Sequence, residues 1–264
     1  MRIASLCPSN TEIIAYLGLI DQLVAVDDYS DWPAAVNTLP KLGPDLSIDM
    51  NAVEKAKPDL VLASLSVPGM EKNILALDER NIPYITLNPQ SLTDIENDLI
   101  TVATALGKKE VGMQAAANFH EKVMNLKNLA KQVSTPLSIY WEWWPKPIFT
   151  PGGTNWLTEI SELVGGENLF ASKEQANIQT DWDAIRMQNP DVICLAWVGV
   201  RQEKINPAIL QKRPGWSNMD ALKNNTVYVL EEELFCRPSP RLIEGAIKLG
   251  QLLHPNIFSS PIKK

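Results

Sequence analysis

Trp141, Trp143 and Trp144 fall within four positions of one another, led in by Tyr140 and interrupted by Glu142. An indole offers a broad apolar face and one N–H donor. Several together suit a large, flat ligand held by burial and a few hydrogen bonds. Strand alternation sets Trp144 opposite the other two, and one sheet cannot easily bury both faces of that cluster beside a proline-rich turn. Part of it is therefore expected to line a cavity. Further aromatics follow predicted strands, in Asp28-Tyr29-Ser30-Asp31-Trp32-Pro33, in Trp197-Val198-Gly199 and in Phe235-Cys236-Arg237. Nucleophiles and phosphate cradles are poorly provided. No GxGxxG follows the first strand, and GxxxxGK[ST], GxSxG and HExxH are absent. Thr150-Pro151-Gly152-Gly153 reads as a turn before a helix, with an anion cradle as the alternative. Cys194 falls mid-strand as a small hydrophobe, which leaves Cys7 and Cys236 as the thiols at loop ends.

The chain as a whole narrows the chemistry further. Its 264 residues, at about 150 per domain, make one large domain or two modest ones. Lys and Arg number 24 against 31 Asp and Glu, a net charge of −7. That balance argues against nucleic acid or an anionic membrane as the main partner, because both reward a basic surface. Three distant cysteines and only His120 and His254 provide neither a disulfide framework nor a metal cluster. The longest apolar run, Val192 to Val200, is about half a membrane span. Met1-Arg2 leads into four apolar or small residues before Cys7-Pro8-Ser9-Asn10, too few for an export signal. As written the chain is expected to be cytoplasmic, with periplasm or cell envelope as the alternative if a leader has been trimmed.

The elements that would position these residues alternate. Arg2–Leu6, Leu23–Val26, Asp59–Ala63 and Tyr84–Leu87 read as strands. Between them, helical patterns follow Ser9-Asn10-Thr11-Glu12 (a predicted capping box), run through Val53–Lys57, and follow Pro68-Gly69. Ile95, Leu99, Val102 and Leu106 form a helical stripe, and a long helix is predicted from Lys109 to Val133. Strands are predicted again at Ser138–Trp141, Val192–Trp197 and Val227–Leu230. Helices are predicted around Trp156–Leu163 and Leu242–Leu253. Strands alternating with helices imply parallel βαβ units. The expected architecture is α/β, two Rossmann-like lobes with central parallel sheets joined by one long helix. Residues 1–90 would form the first lobe, 91–135 a helical connector and 136–264 the second lobe.

Five segments together resemble a known family. They are RIASLCPSNTEIIAYLGL (Arg2–Leu19), DDYSDWP (Asp27–Pro33), KPDLVLAS (Lys57–Ser64), FTPGGTNWLTEISELVGGENLF (Phe149–Phe170) and RPSPRLIEGAIKLGQLLHP (Arg237–Pro255). The chain resembles the cobalamin-binding components of ABC importers, within the periplasmic-binding-protein class built on a single backbone helix. The resemblance implies a rigid clamp whose lobes hold a corrin ring through aromatics, with no chemistry performed on it. Tyr29 and Trp32 would face the ring from the first lobe. Tyr140, Trp141, Trp143, Trp144, Trp197 and Phe235 would face it from the second. Arg237 would meet a polar edge of the ligand or, equally, anchor the final helix. The family also implies a surface glutamate on each lobe for a permease. Glu71 and Glu203 match, Glu71 reading equally as a helix-dipole carboxylate.

The expected function is therefore reversible binding of cobalamin or a related corrinoid by a monomer that delivers it to an ABC permease. Two alternatives stand beside it. One is a ferric-siderophore or haem binding protein. The other is a cytosolic tetrapyrrole-handling enzyme or chaperone using Cys7, Cys236 or Glu142.

Overall fold

Short aliphatic runs form two parallel sheets, each inside its own unit of the chain. Residues 1–258 are described by this computed structural model. The first unit runs from Met1 to His120 and includes Pro238–Pro240, and the second runs from Glu121 to Arg237 and resumes at Arg241. The long helix thus begins in one unit and ends in the other. The chain also returns to the first unit for Pro238–Pro240, so one helix is not the only covalent link between them.

In the first unit, strands β1 (Ile3–Ser5), β2 (Leu23–Val26), β3 (Leu60–Ser64) and β4 (Tyr84–Leu87) pair in parallel in the order β2-β1-β3-β4. Helices α1 (Pro8–Tyr16), α2 (Met50–Ala56), α3 (Glu71–Glu79) and α4 (Leu92–Ala105) intervene or follow, and α5 spans Lys109–Ala130. At about 1.5 Å per residue, α5 is roughly 33 Å long. Ala4, Leu6, Ala25, Val53, Val61 and Leu77 form the core of this unit. The capping box expected at Ser9 does not form. Pro8 takes the first helical position of α1 with no side-chain cap, and Glu12 is turned into the interior. A capping box occurs at α4 instead, where Ser91 and Asp94 satisfy each other's backbone N–H groups. Gly112 lets α5 lie close to α4, since a Cβ there would fall 2.6 Å from the Ala103 methyl.

In the second unit, β5 (Leu137–Glu142), β8 (Gly166–Asn168), β10 (Val192–Leu195) and β11 (Val227–Val229) make a parallel sheet in the order β11-β10-β5-β8. A second sheet was not expected. In it β7 (Ile148–Pro151) pairs antiparallel with both β6 (Trp144–Pro145) and β9 (Asn177–Thr180). Helices α6 (Trp156–Leu163), α7 (Trp182–Gln188), α8 (Asp220–Lys223), α9 (Glu232–Phe235), α10 (Leu242–Leu253) and α11 (Pro255–Phe258) complete the described chain. Because β5 ends at Glu142, the alternation expected to set Trp144 against Trp141 stops before it applies. Among the described residues no helix is long and apolar enough to cross a membrane, and no cluster of acidic, His and Cys side chains could hold a metal ion.

Candidate ligand-binding site

In open parallel sheets, ligands meet the carboxyl edge where neighbouring strands send their connections in opposite directions. The strand orders place that switch between β1 and β3 in the first unit and between β5 and β10 in the second. The residues beyond these strand ends are the candidates.

In the first unit the strand ends carry a buried polar network. The Thr11 hydroxyl lies 2.8 Å from that of Ser5 and 2.7 Å from that of Ser30. Asp27 accepts from the backbone N–H groups of Tyr29 (2.8 Å) and Ser30 (3.1 Å) and from the Ser30 hydroxyl. Lys41 caps the loop by donating to the Ser30 carbonyl at 2.7 Å. Burial pushes the Asp27 carboxyl up to about 6, opposed by its hydrogen bonds. This framework fixes the loop that carries Tyr29, 53% exposed, and Trp32, half-buried. Cys7 is buried against Ser9, and burial pushes its thiol up to about 12. A thiol so far from ionisation is no nucleophile at neutral pH.

In the second unit the aromatic cluster divides. Tyr140 and Trp141 are fully buried, and so is Phe235. Trp141 donates to the Ser161 hydroxyl at 2.8 Å and packs on Phe235 at 5.6 Å. These three are core residues, which corrects the expectation that they line the site. Successive positions on β5 are buried because sheet and helices cover both faces, so aromatic content alone did not mark exposure. Trp143 is also largely buried, packed 5.4 Å from Trp156, and its indole nitrogen has no hydrogen-bond partner. Trp144 is 42% exposed and Trp197 is half-buried, both just past the ends of the switch-point strands β5 and β10. Two backbone bonds splice these strand ends together, from Ala196 N–H to the Glu142 carbonyl (3.1 Å) and from Val198 N–H to the Trp143 carbonyl (3.1 Å). The Trp144 indole donates to the Lys146 carbonyl at 3.0 Å, and that of Trp197 to Glu142 at 3.2 Å. Both accessible rings therefore present carbon surface with the N–H already engaged.

Arg237 pairs with Glu232 at 3.1 Å, so its guanidinium is engaged within its own unit. Burial raises the Cys236 thiol well above the usual range, and the thiol donates to the Ala196 carbonyl. The Gly152-Gly153 segment is a close-packed turn. A Cβ on Gly152 would fall 2.1 Å from the Gln175 carbonyl oxygen, and both glycine N–H groups donate to protein carbonyls. Neither glycine N–H is left to face an anion. Glu71 and Glu203 are both exposed, and Glu71 accepts from the Gly69 N–H at 2.7 Å.

Sequence reasoning missed Arg213. It forms two bonds to Glu142, at 2.6 and 2.8 Å, with both side chains buried. The two lie 71 positions apart, and no local pattern joins them.

Comparison with known proteins agrees with this architecture. The Periplasmic binding protein family profile matches residues 3–234. An uncharacterized ABC transporter substrate-binding lipoprotein of Bacillus subtilis is 31% identical, over 97% of this chain and 81% of its own length. The vitamin B12-binding protein of Vibrio parahaemolyticus is 29% identical, over 94% of this chain and 87% of its own. Among solved structures, the periplasmic vitamin B12 binding protein BtuF of Vibrio cholerae superposes with a TM-score of 0.78 at 25% identity, covering 98% of both chains. The haem complex of S. aureus IsdE superposes at 0.84 with 19% identity, over 96% of this chain and 98% of its own, and shares the fold. These matches overturn the cytoplasmic placement expected from the N-terminus. The family is periplasmic by description and the Bacillus relative is a lipoprotein, both outside the cytoplasm.

Proposed function

Because the chain belongs to the periplasmic binding protein family and is a substrate-binding protein rather than an enzyme, we propose that its ligand is cobalamin or a related corrinoid. The observation that carries this reading is the pair of accessible indoles, Trp144 and Trp197, whose N–H groups are engaged within the protein. Such rings offer a broad apolar wall, matched to a large macrocycle whose faces are mostly carbon. Each well-placed ring supplies about 1–3 kcal/mol by burial. Tyr29 and Trp32 are the rings assigned to the ligand in the first unit. The naming of curated relatives as vitamin B12-binding proteins supports the same choice. Glu71 and Glu203, one exposed carboxylate on each unit, are the ones we assign to a permease partner.

One observation favours a second reading, ferric haem. Haem iron takes an axial protein ligand, and tyrosinate is one of those used. Tyr29 is exposed at a strand-end loop. A cobalamin carries its own nucleotide base and needs no such ligand.

Titration of tryptophan fluorescence with cyanocobalamin, haemin and a ferric hydroxamate separates these ligands. Under the corrinoid reading, cyanocobalamin quenches at micromolar concentration or below and is recovered chemically unchanged. Tyr29→Phe then costs little. Haemin binding with a Soret band that Tyr29→Phe alters, and no response to cyanocobalamin, would replace the corrinoid by haem.

A further inference from the structure

Glu142 is the meeting point of four hydrogen bonds in the second unit. Its Oε1 accepts from the Trp197 indole (3.2 Å) and Arg213 Nη2 (2.8 Å), and its Oε2 accepts from the Tyr140 hydroxyl (2.9 Å) and Arg213 Nη1 (2.6 Å). Both carboxylate oxygens are thereby saturated. The guanidinium is held in turn, with its carbon 4.5 Å from the Trp216 ring centre and 5.5 Å from that of Trp182. Every member of this assembly is buried or half-buried. Of the groups bonded to Glu142, Trp197 is the one with accessible surface, whereas Tyr140 and Arg213 are enclosed.

We propose that Glu142 and Arg213 are a positioning pair whose task is to lock the Trp197 indole in one orientation, so that its carbon face is set before the ligand arrives. This rests on the reading that Trp197 meets the ligand. The energetics favour positioning over stability. Desolvation cancels much of the attraction in a buried ion pair, and replacing both partners by apolar groups is often neutral for stability. What the pair supplies is direction. A planar fork grips a planar carboxylate in one geometry, and that carboxylate then holds the indole N–H on a fixed line. A ring fixed in advance loses less rotamer freedom on binding.

The test uses the whole protein, uniformly ¹⁵N-labelled, with cyanocobalamin as the probe ligand. The Trp197 indole N–H resonance is assigned by its disappearance in Trp197→Phe. In the double variant Glu142→Leu/Arg213→Met, which removes both charges and keeps the volume, that resonance is expected to shift upfield and to exchange faster with solvent. Affinity for cyanocobalamin should fall about threefold to tenfold, a typical coupling between contacting residues. In the Trp197→Phe background the same double change should cost nothing further, because the lock is already gone. If the double variant does not fold by circular dichroism, the alternative apolar pair Glu142→Met/Arg213→Leu, which also leaves no acceptor for the indole N–H, carries the same two measurements. An indole resonance that does not move, or an equal affinity loss in both backgrounds, overturns the proposal. Failure of the wild type to bind cyanocobalamin at all overturns the corrinoid reading instead, and the indole resonance in the free protein still decides whether the lock exists.

Discussion

The Ser239 hydroxyl donates to the carboxylate of Glu12, a residue 227 positions earlier, and both side chains are buried. This bond ties Pro238-Ser239-Pro240 into the first unit, although the chain on either side of it belongs to the second. Ser239→Ala removes a hydrogen bond to a buried carboxyl group and is expected to cost about 1–3 kcal/mol. The urea midpoint of the purified protein measures it. A midpoint equal to that of wild type would mean that other partners of Glu12 carry its satisfaction.

Stability is expected to decline as pH rises from 5 to 8. Burial raises the Asp98 carboxyl to about 7, with the Asp94 charge adding to it, and burial raises Asp27 to about 6. Both values lie above those of the unfolded chain. The folded state therefore holds protons that the unfolded chain has already released, and stability is lost as pH climbs through 6 to 7. One Asp98 oxygen is buried without a hydrogen-bond partner. Asp98→Asn removes its share of the decline and should gain about 1–2 kcal/mol at pH 8, after discounting for partial exposure. Thermal unfolding of both proteins at four pH values gives the comparison. Parallel curves would show that Asp98 does not titrate in this range.

Neighbouring tryptophans are expected to fail in opposite ways. Trp141 is fully buried and hydrogen-bonded to Ser161, so Trp141→Ala should cost about 3–5 kcal/mol of stability. Trp144 is 42% exposed, so Trp144→Ala should change stability by no more than about 0.5 kcal/mol. Its effect should fall on cyanocobalamin affinity, by about tenfold. Chemical unfolding and ligand titration of the same two variants settle the division.

The thiols should be inert in the native protein. Burial raises Cys7 to about 12, and Cys194 and Cys236 also stand above the ordinary thiol range. Since the thiolate is the reactive form, iodoacetamide at pH 8 should label none of them until denaturant is added. Rapid native labelling of Cys7 or Cys236 would revive a chemical role for that residue.

Much of the scaffold was legible because its determinants are local. Leu23–Val26 and Tyr84–Leu87 are strands at the expected positions, and Trp156–Leu163 and Leu242–Leu253 are helices where they were expected. In each, apolar spacing states the element without help from elsewhere. Proline and glycine punctuation gave many of the ends. The antiparallel sheet was not legible, since β6 has two residues and is a strand only because β7 lies beside it. The capping box at Ser9 matched a local pattern but lost to the interior, which draws Glu12 toward Ser239.

The sequence by itself determined the kind of surface this protein offers, rich in indole and poor in nucleophiles, and the alternation that makes two parallel sheets. Only the tertiary structure decided which indoles are surface. Trp141 and Trp144 are three positions apart and alike in chemistry, yet one is enclosed by Phe235 and Ser161 while the other stays accessible. Nor does anything local connect Glu142 to Arg213, 71 positions away. Burial and ion pairing depend on what the rest of the chain brings alongside, and that is a property of the packed molecule rather than of any short stretch of it.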